Sequence, residues 1–164
     1  YACPRLAQGA DLLLSIHHDS VQPQYLASWT IDGKIYRYSD RFSGFSLFVS
    51  RRNPYFERSL ACASSVGAAL RTAGFVPSAH HAEPIPGENR PFADRDNSVY
   101  IFDDLVVLRA ATQPAILLEA GIIVNRADEL IMQQPVTQVR IATALTAGLE
   151  RCLVTPPEGK GLGY

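Results

Sequence analysis

Two short apolar runs that stop abruptly at ionisable residues constrain this chain more than any other feature. Leu12-Leu13-Leu14-Ser15-Ile16 gives way to His17-His18-Asp19-Ser20, and Pro114-Ala115-Ile116-Leu117-Leu118 gives way to Glu119-Ala120-Gly121. A short, unbroken apolar run predicts a strand buried on both faces, the habit of parallel sheets. Phe45-Ser46-Leu47-Phe48-Val49-Ser50 predicts a third strand. Helix signals fall between and after the strands. Asn53 is a cap and Pro54 a first helical residue, and Phe56, Leu60, Ala63, Leu70 and Ala73 then share a face that ends at Gly74. Asn125 can cap a short helix over 126–133, and Pro135 opens a last one with Ile141, Leu145 and Leu149 spaced four apart. Residues 4–10 resemble the end of a further helix. This alternation predicts an α/β fold: one layered domain over 1–154 with a mostly parallel sheet flanked by helices, followed by a flexible tail over 155–164. In open sheets of this kind, chemistry sits where strands end.

The connecting segments are polar. Residues 21–44 predict a long surface excursion with a short strand at Lys34–Tyr38, and 104–109 a helical turn. Residues 75–104 predict a long loop, which in a small domain is often functional. Its His80, His81, Glu83, Glu88 and Arg90 are those of a solvated charged loop, a lid over a groove, or, for either histidine, a replacement metal ligand. The aromatics at 25–48 suit either packing or a glycan groove.

A net charge of −1 over 164 residues argues against a general electrostatic grip on nucleic acid. No apolar run reaches the roughly 20 residues that a membrane span needs. The three cysteines, Cys3, Cys62 and Cys152, are far apart; they exclude a dense disulfide framework and predict small buried side chains, with room for one disulfide. The chain opens on tyrosine, which predicts a processed or truncated amino terminus.

A histidine at a strand end is either a hydrogen-bonded loop residue or a rigidly held metal ligand, since neutral imidazole is the commonest protein ligand for zinc. A carboxylate directly after an apolar run is costly to bury alone. Glu119 therefore either pairs with an arginine such as Arg109, or caps backbone, or acts as a general base beside a metal-bound water.

Ala10-Asp11-Leu12-Leu13-Leu14-Ser15-Ile16-His17-His18-Asp19-Ser20 resembles the Ala-Asp-apolar-apolar-Ser-Ile-His motif of the amidase-3 family, the zinc N-acetylmuramoyl-L-alanine amidases of bacterial cell-wall turnover and cell separation. Pro114 to Asn125 resembles that family's motif around its catalytic glutamate, and Val107-Leu108-Arg109 its Val-Leu-Arg. The resemblance implies a twisted, mostly parallel sheet flanked by helices. It implies zinc as cofactor, His17 as a metal ligand and Glu119 as the catalytic base, with His18 not a ligand. The substrate implied is peptidoglycan, cut between N-acetylmuramic acid and L-alanine, in the periplasm or at the cell surface, with a protein activator as a further partner.

Departures from the family pattern are specific. The family's first zinc histidine and its glutamate ligand have no counterpart motif here, so the expectation is that the remaining ligands lie upstream of Tyr1. A non-catalytic cell-wall binding module on the same fold is the alternative, and a zinc peptidase or deacetylase a third reading. Ala120 and Ile122 stand where the family has threonine and phenylalanine, and residues 21–44 are where an inhibitory segment would lie.

Overall fold

A computed structural model describes residue 7 and residues 9–154. The expectations for Cys3, for the tail and for most of the helix end at 4–10 lie outside the described residues. Among the described residues there are seven strands: β1 Leu13–Asp19, β2 Ala27–Ile31, β3 Lys34–Tyr38, β4 Ser46–Val49, β5 Phe92–Asp94, β6 Val99–Ile101 and β7 Ala115–Ile122. Four helices accompany them: α1 Phe56–Thr72, α2 Val106–Arg109, α3 Arg126–Met132 and α4 Pro135–Val154.

The expected α/β layered domain is the architecture observed. Five strands form the central sheet in the order β1-β7-β4-β6-β5. Parallel pairing joins β1 to β7 and β4 to β6, while β4 runs antiparallel to β7, and β5 to β6. The reversal at β4 has a simple cause. No crossover helix lies between β1 and β4, so the chain re-enters the sheet from the end where it left. By contrast, α1 carries the chain back between β4 and β6, and those two are parallel.

The strand at Lys34–Tyr38 is present as β3, and it pairs with β2 in an antiparallel hairpin that the periodicity had not indicated. Its turn is Asp32-Gly33, with φ of 49° and 74°. Two successive positive φ values suit a tight hairpin turn, and Asp-Gly is a favoured pair for it. Both strands are largely exposed.

Local signals placed the helices well. The Asn53 carboxamide oxygen accepts from Tyr55 N, and its amide donates to the Leu108, Ala111 and Gln113 carbonyls; α1 itself starts two residues past Pro54. Gly74, at φ 87°, closes α1, with Phe75 N donating back to the Leu70 carbonyl. Asn125 caps α3 by accepting from Ala127 N and Asp128 N.

Two apolar layers follow from strand alternation. Leu47, Val49, Ile116 and Leu118 meet α1 and α4 on one face, while Phe48, Tyr100, Leu108, Ala115 and Leu117 form a smaller core on the other. Strands β4 and β7 are buried as expected. β1 is not: it pairs only with β7 among the described residues, and Ile16 is 55% exposed. An apolar run fits an edge strand as well as a central one, so the run alone could not distinguish them.

Helices α1 and α4 touch closely. A Cβ on Gly148 would sit 2.6 Å from Val66 Cα, and Ser65 Oγ donates to the Gly148 carbonyl. Cys62 and Cys152 form a disulfide across this contact, their Cα atoms 5.0 Å apart. The expected burial is observed, and the one disulfide for which the sequence left room joins these two residues. Both side chains are buried, but they face each other across two helices, a pairing that spacing in the sequence does not encode.

Two outcomes are expected. Alkylation followed by mass measurement should find Cys62 and Cys152 blocked until reduction. Gly148→Ala should lower stability in urea denaturation by about 1–3 kcal/mol, because the added methyl forces two backbones apart.

Candidate active site

The site lies on the sheet face opposite α1 and α4, at the carboxyl ends of β1 and β7. Register places His17 directly beside Glu119 across the parallel pair, and Ser46 beside Glu119 on its other side. After His17 the register slips, so that Asp19 pairs with Ile122, and Ile123 N donates to the Asp19 carbonyl. Both motifs singled out in the sequence therefore converge on one end of the sheet. A cavity of about 370 Å³ opens there, lined by His17, Asp19, Gln22, His81, Arg90 and Glu119 among others. His18 points elsewhere, into a separate cavity beside Met132.

His17 is exposed, and its Nε2 lies 2.9 Å from Ser15 Oγ. Glu119 is half-buried, and its Oε2 has no hydrogen-bond partner among the described residues. It forms no salt bridge with Arg109, which pairs instead with Asp104. Burial, reinforced by the negative charge of Asp19 and partly offset by His81, pushes the Glu119 carboxyl up to about 7. A carboxyl poised there can accept a proton and return it near neutral pH.

The loop over 75–104 supplies residues that the sequence had suggested were solvated. His80 and His81 begin a single turn of 3-10 helix and are buried, at 2% and 6% exposure. Polar composition alone could not reveal this, because the burial comes from packing against distant residues. His80 packs against Phe42, and His81 against Phe48 and Tyr100. Their Nε2 atoms approach the same carboxylate oxygen, Asp19 Oδ2, at 3.1 and 2.7 Å. All three atoms are buried without a hydrogen-bond partner among the described residues. Together they form the one group of three metal-capable side chains among the described residues.

A second carboxylate holds the loop in place. Glu88 accepts from Gln22 Nε2 at 2.8 Å, lies 2.8 Å from His81 Nδ1 and pairs with Arg90. Gln22 follows β1, so this contact ties the loop to the strand that carries Asp19. Charge follows geometry. Burial raises the Asp19 pKa, but the two imidazoles outweigh it and hold the group well below the usual carboxylate range. Burial lowers that of His81, but Asp19 and Glu88 outweigh it and the net shift is upward.

Glu119 titrates near 4.5 when unfolded and near 7 when folded. Its raised value favours the fold while the group is protonated, a contribution full below pH 4.5 and lost as pH rises through 7. Glu119→Gln cannot ionise. With chelator present, its urea stability should gain on that of the wild type as pH climbs across this window. A difference independent of pH would mean that the carboxyl is well solvated.

Residues 5–151 match the family described as N-acetylmuramoyl-L-alanine amidase. No curated protein sequence matches the chain. Among solved structures, the fold is similar to the N-acetylmuramyl-L-alanine amidase Ami1 from Mycobacterium smegmatis, with a TM-score of 0.64 and 20% identity over 87% of this chain. An N-acetylmuramoyl-L-alanine amidase from Clostridium difficile 630 gives 0.65 at 18% identity over 95% of this chain. The CwlD amidase from Clostridioides difficile, solved in complex with the GerS lipoprotein, gives 0.59 at 16% identity over 89%. The chain spans 54%, 66% and 56% of those three proteins respectively. These likenesses agree with the layered sheet, and the match over residues 5–151 shows that this chain belongs to the N-acetylmuramoyl-L-alanine amidase family.

Proposed function

We propose that the chain carries catalytic residues of a zinc-dependent peptidoglycan amidase, which hydrolyses the amide between the lactyl group of N-acetylmuramic acid and L-alanine. The observation that carries this reading is Glu119. It is a desolvated carboxyl with a free oxygen at the end of an apolar strand, held beside His17 in an open cavity. His17, an imidazole on that cavity beside the unpaired Glu119 oxygen, is a donor that fits a zinc ion. It is the ligand that the family motif implies. Zinc, when bound, polarises the scissile carbonyl and acidifies a water.

The residues of the chain supply the rest. Glu119 takes a proton from the attacking water as the new C–O bond forms. It returns that proton to the alanine nitrogen as the C–N bond breaks, so the products are a lactyl carboxylate and a free amine. Phe102, Leu105 and Val107 form an apolar wall of the same cavity, and burial holds the carboxyl at a pKa of about 7.

A place outside the cytoplasmic membrane belongs to the same proposal. It is supported by the Cys62–Cys152 disulfide, since such bonds persist in oxidising compartments. No helix among the described residues is long and apolar enough to cross a membrane. A protein activator is the further partner in this reading.

The complete protein should release stem peptides with a new L-alanine amino terminus from purified peptidoglycan, identified by mass spectrometry. Glu119→Gln should lower the rate by about 10²–10⁴-fold while zinc stays bound. Peptidoglycan capture without cleavage would instead indicate a binding module, and loss of zinc in Glu119→Gln would make Glu119 a ligand.

A further inference from the structure

The structure assigns a metal-binding site to Asp19, His80 and His81, built from the strand end and the 75–104 loop and separate from the His17 ring. The oxygens of Glu88 act as acceptors, since Gln22 and Arg90 already donate to them. The His81 nitrogen facing it, Nδ1 at 2.8 Å, must therefore carry a hydrogen. In a neutral imidazole the other nitrogen, Nε2, then presents a lone pair, and that lone pair lies 2.7 Å from a carboxylate oxygen. Two acceptors at this distance repel unless a cation stands between or beside them.

His80 repeats the pattern. Its Nδ1 is 3.1 Å from Ser78 Oγ, and its Nε2 turns to the same Asp19 oxygen. A second proton on His81 is the rival explanation. It still leaves the buried His80 Nε2 without a hydrogen-bond partner among the described residues. A metal ion answers for all three atoms at once.

Two imidazoles and one carboxylate form a donor set that suits a zinc-type divalent ion, with a fourth position left for water or substrate. The outer partners suit it as well. A carboxylate on the far nitrogen of a metal-bound histidine fixes its tautomer and orientation, which is the place Glu88 holds against His81. Glu88 is thus a positioning residue for this site. The loop is also built to stay. Arg90 N donates to the His81 carbonyl, and a Cβ on Gly87 would collide with Gln22, so the turn fits closely against the segment after β1.

This inference does not rest on the amidase reading, because the test needs no substrate. Complete protein stripped with chelator is titrated with zinc chloride by calorimetry, alongside Asp19→Asn, His81→Gln, Glu88→Gln and His18→Ala. The wild type should show a binding event that Asp19→Asn and His81→Gln lose. Glu88→Gln should weaken it by about 10–100-fold. His18→Ala, which faces another cavity, should retain it. If a variant fails to fold, zinc-dependent shifts of the His80 and His81 ring nitrogens in wild-type spectra decide the same point. Variant titrations that superimpose on the wild type, a wild type that binds no zinc, or ring resonances indifferent to zinc would each overturn the assignment.

Discussion

The parallel register of β1 against β7 is the constraint on which the rest of the site depends. It sets His17 beside Glu119 and, through the slip that follows, brings Asp19 level with Ile122. Side chains alternate between sheet faces, so a shift of one residue would move His17 to the helix side while Glu119 stayed behind. The register is protected by the apolar residues that precede each functional group. Ile116 and Leu118 are locked against α1 and α4, and Leu117 packs on the opposite core. Packing that holds the fold and placement that holds the chemistry are thus two effects of one alternating pattern.

The second half of the site is held differently. His80 and His81 sit on an extended loop, and ordering such a segment costs backbone and side-chain entropy. Aromatic neighbours and the Gln22–Glu88–His81 chain of contacts offset that cost. The result is one cavity with two kinds of wall: a rigid one of strand ends and a hydrogen-bonded one of loop.

How much of this could be read beforehand follows from how local each signal is. Asn53, Gly74, Asn125 and Pro135 act on their own neighbours, and the helices they bound were legible. The strand runs were legible too, and family-like motifs singled out His17 and Glu119, which the fold then placed side by side. The direction of β4 was harder, because it depends on how the chain returns after a long excursion. The strand at Lys34–Tyr38 was legible, but its partner β2 was not, because the pairing depends on the Asp32-Gly33 turn between them. Burial of His80 and His81 and the pairing of Cys62 with Cys152 depend on contacts between distant segments, and no window of the sequence contains them.

That disulfide has a topological effect. It closes residues 62–152 into a covalent ring that contains His80, His81, Glu88 and Glu119, whereas His17 and Asp19 lie on β1, outside it. Within an oxidised chain, these four residues therefore stay in one covalent ring, while His17 and Asp19 depend on the pairing of β1 with β7. Detachment of β1 alone would disconnect both motifs while the ring kept its helices and core. The pairing of β1 with β7 thus controls whether His17 and Asp19 face Glu119.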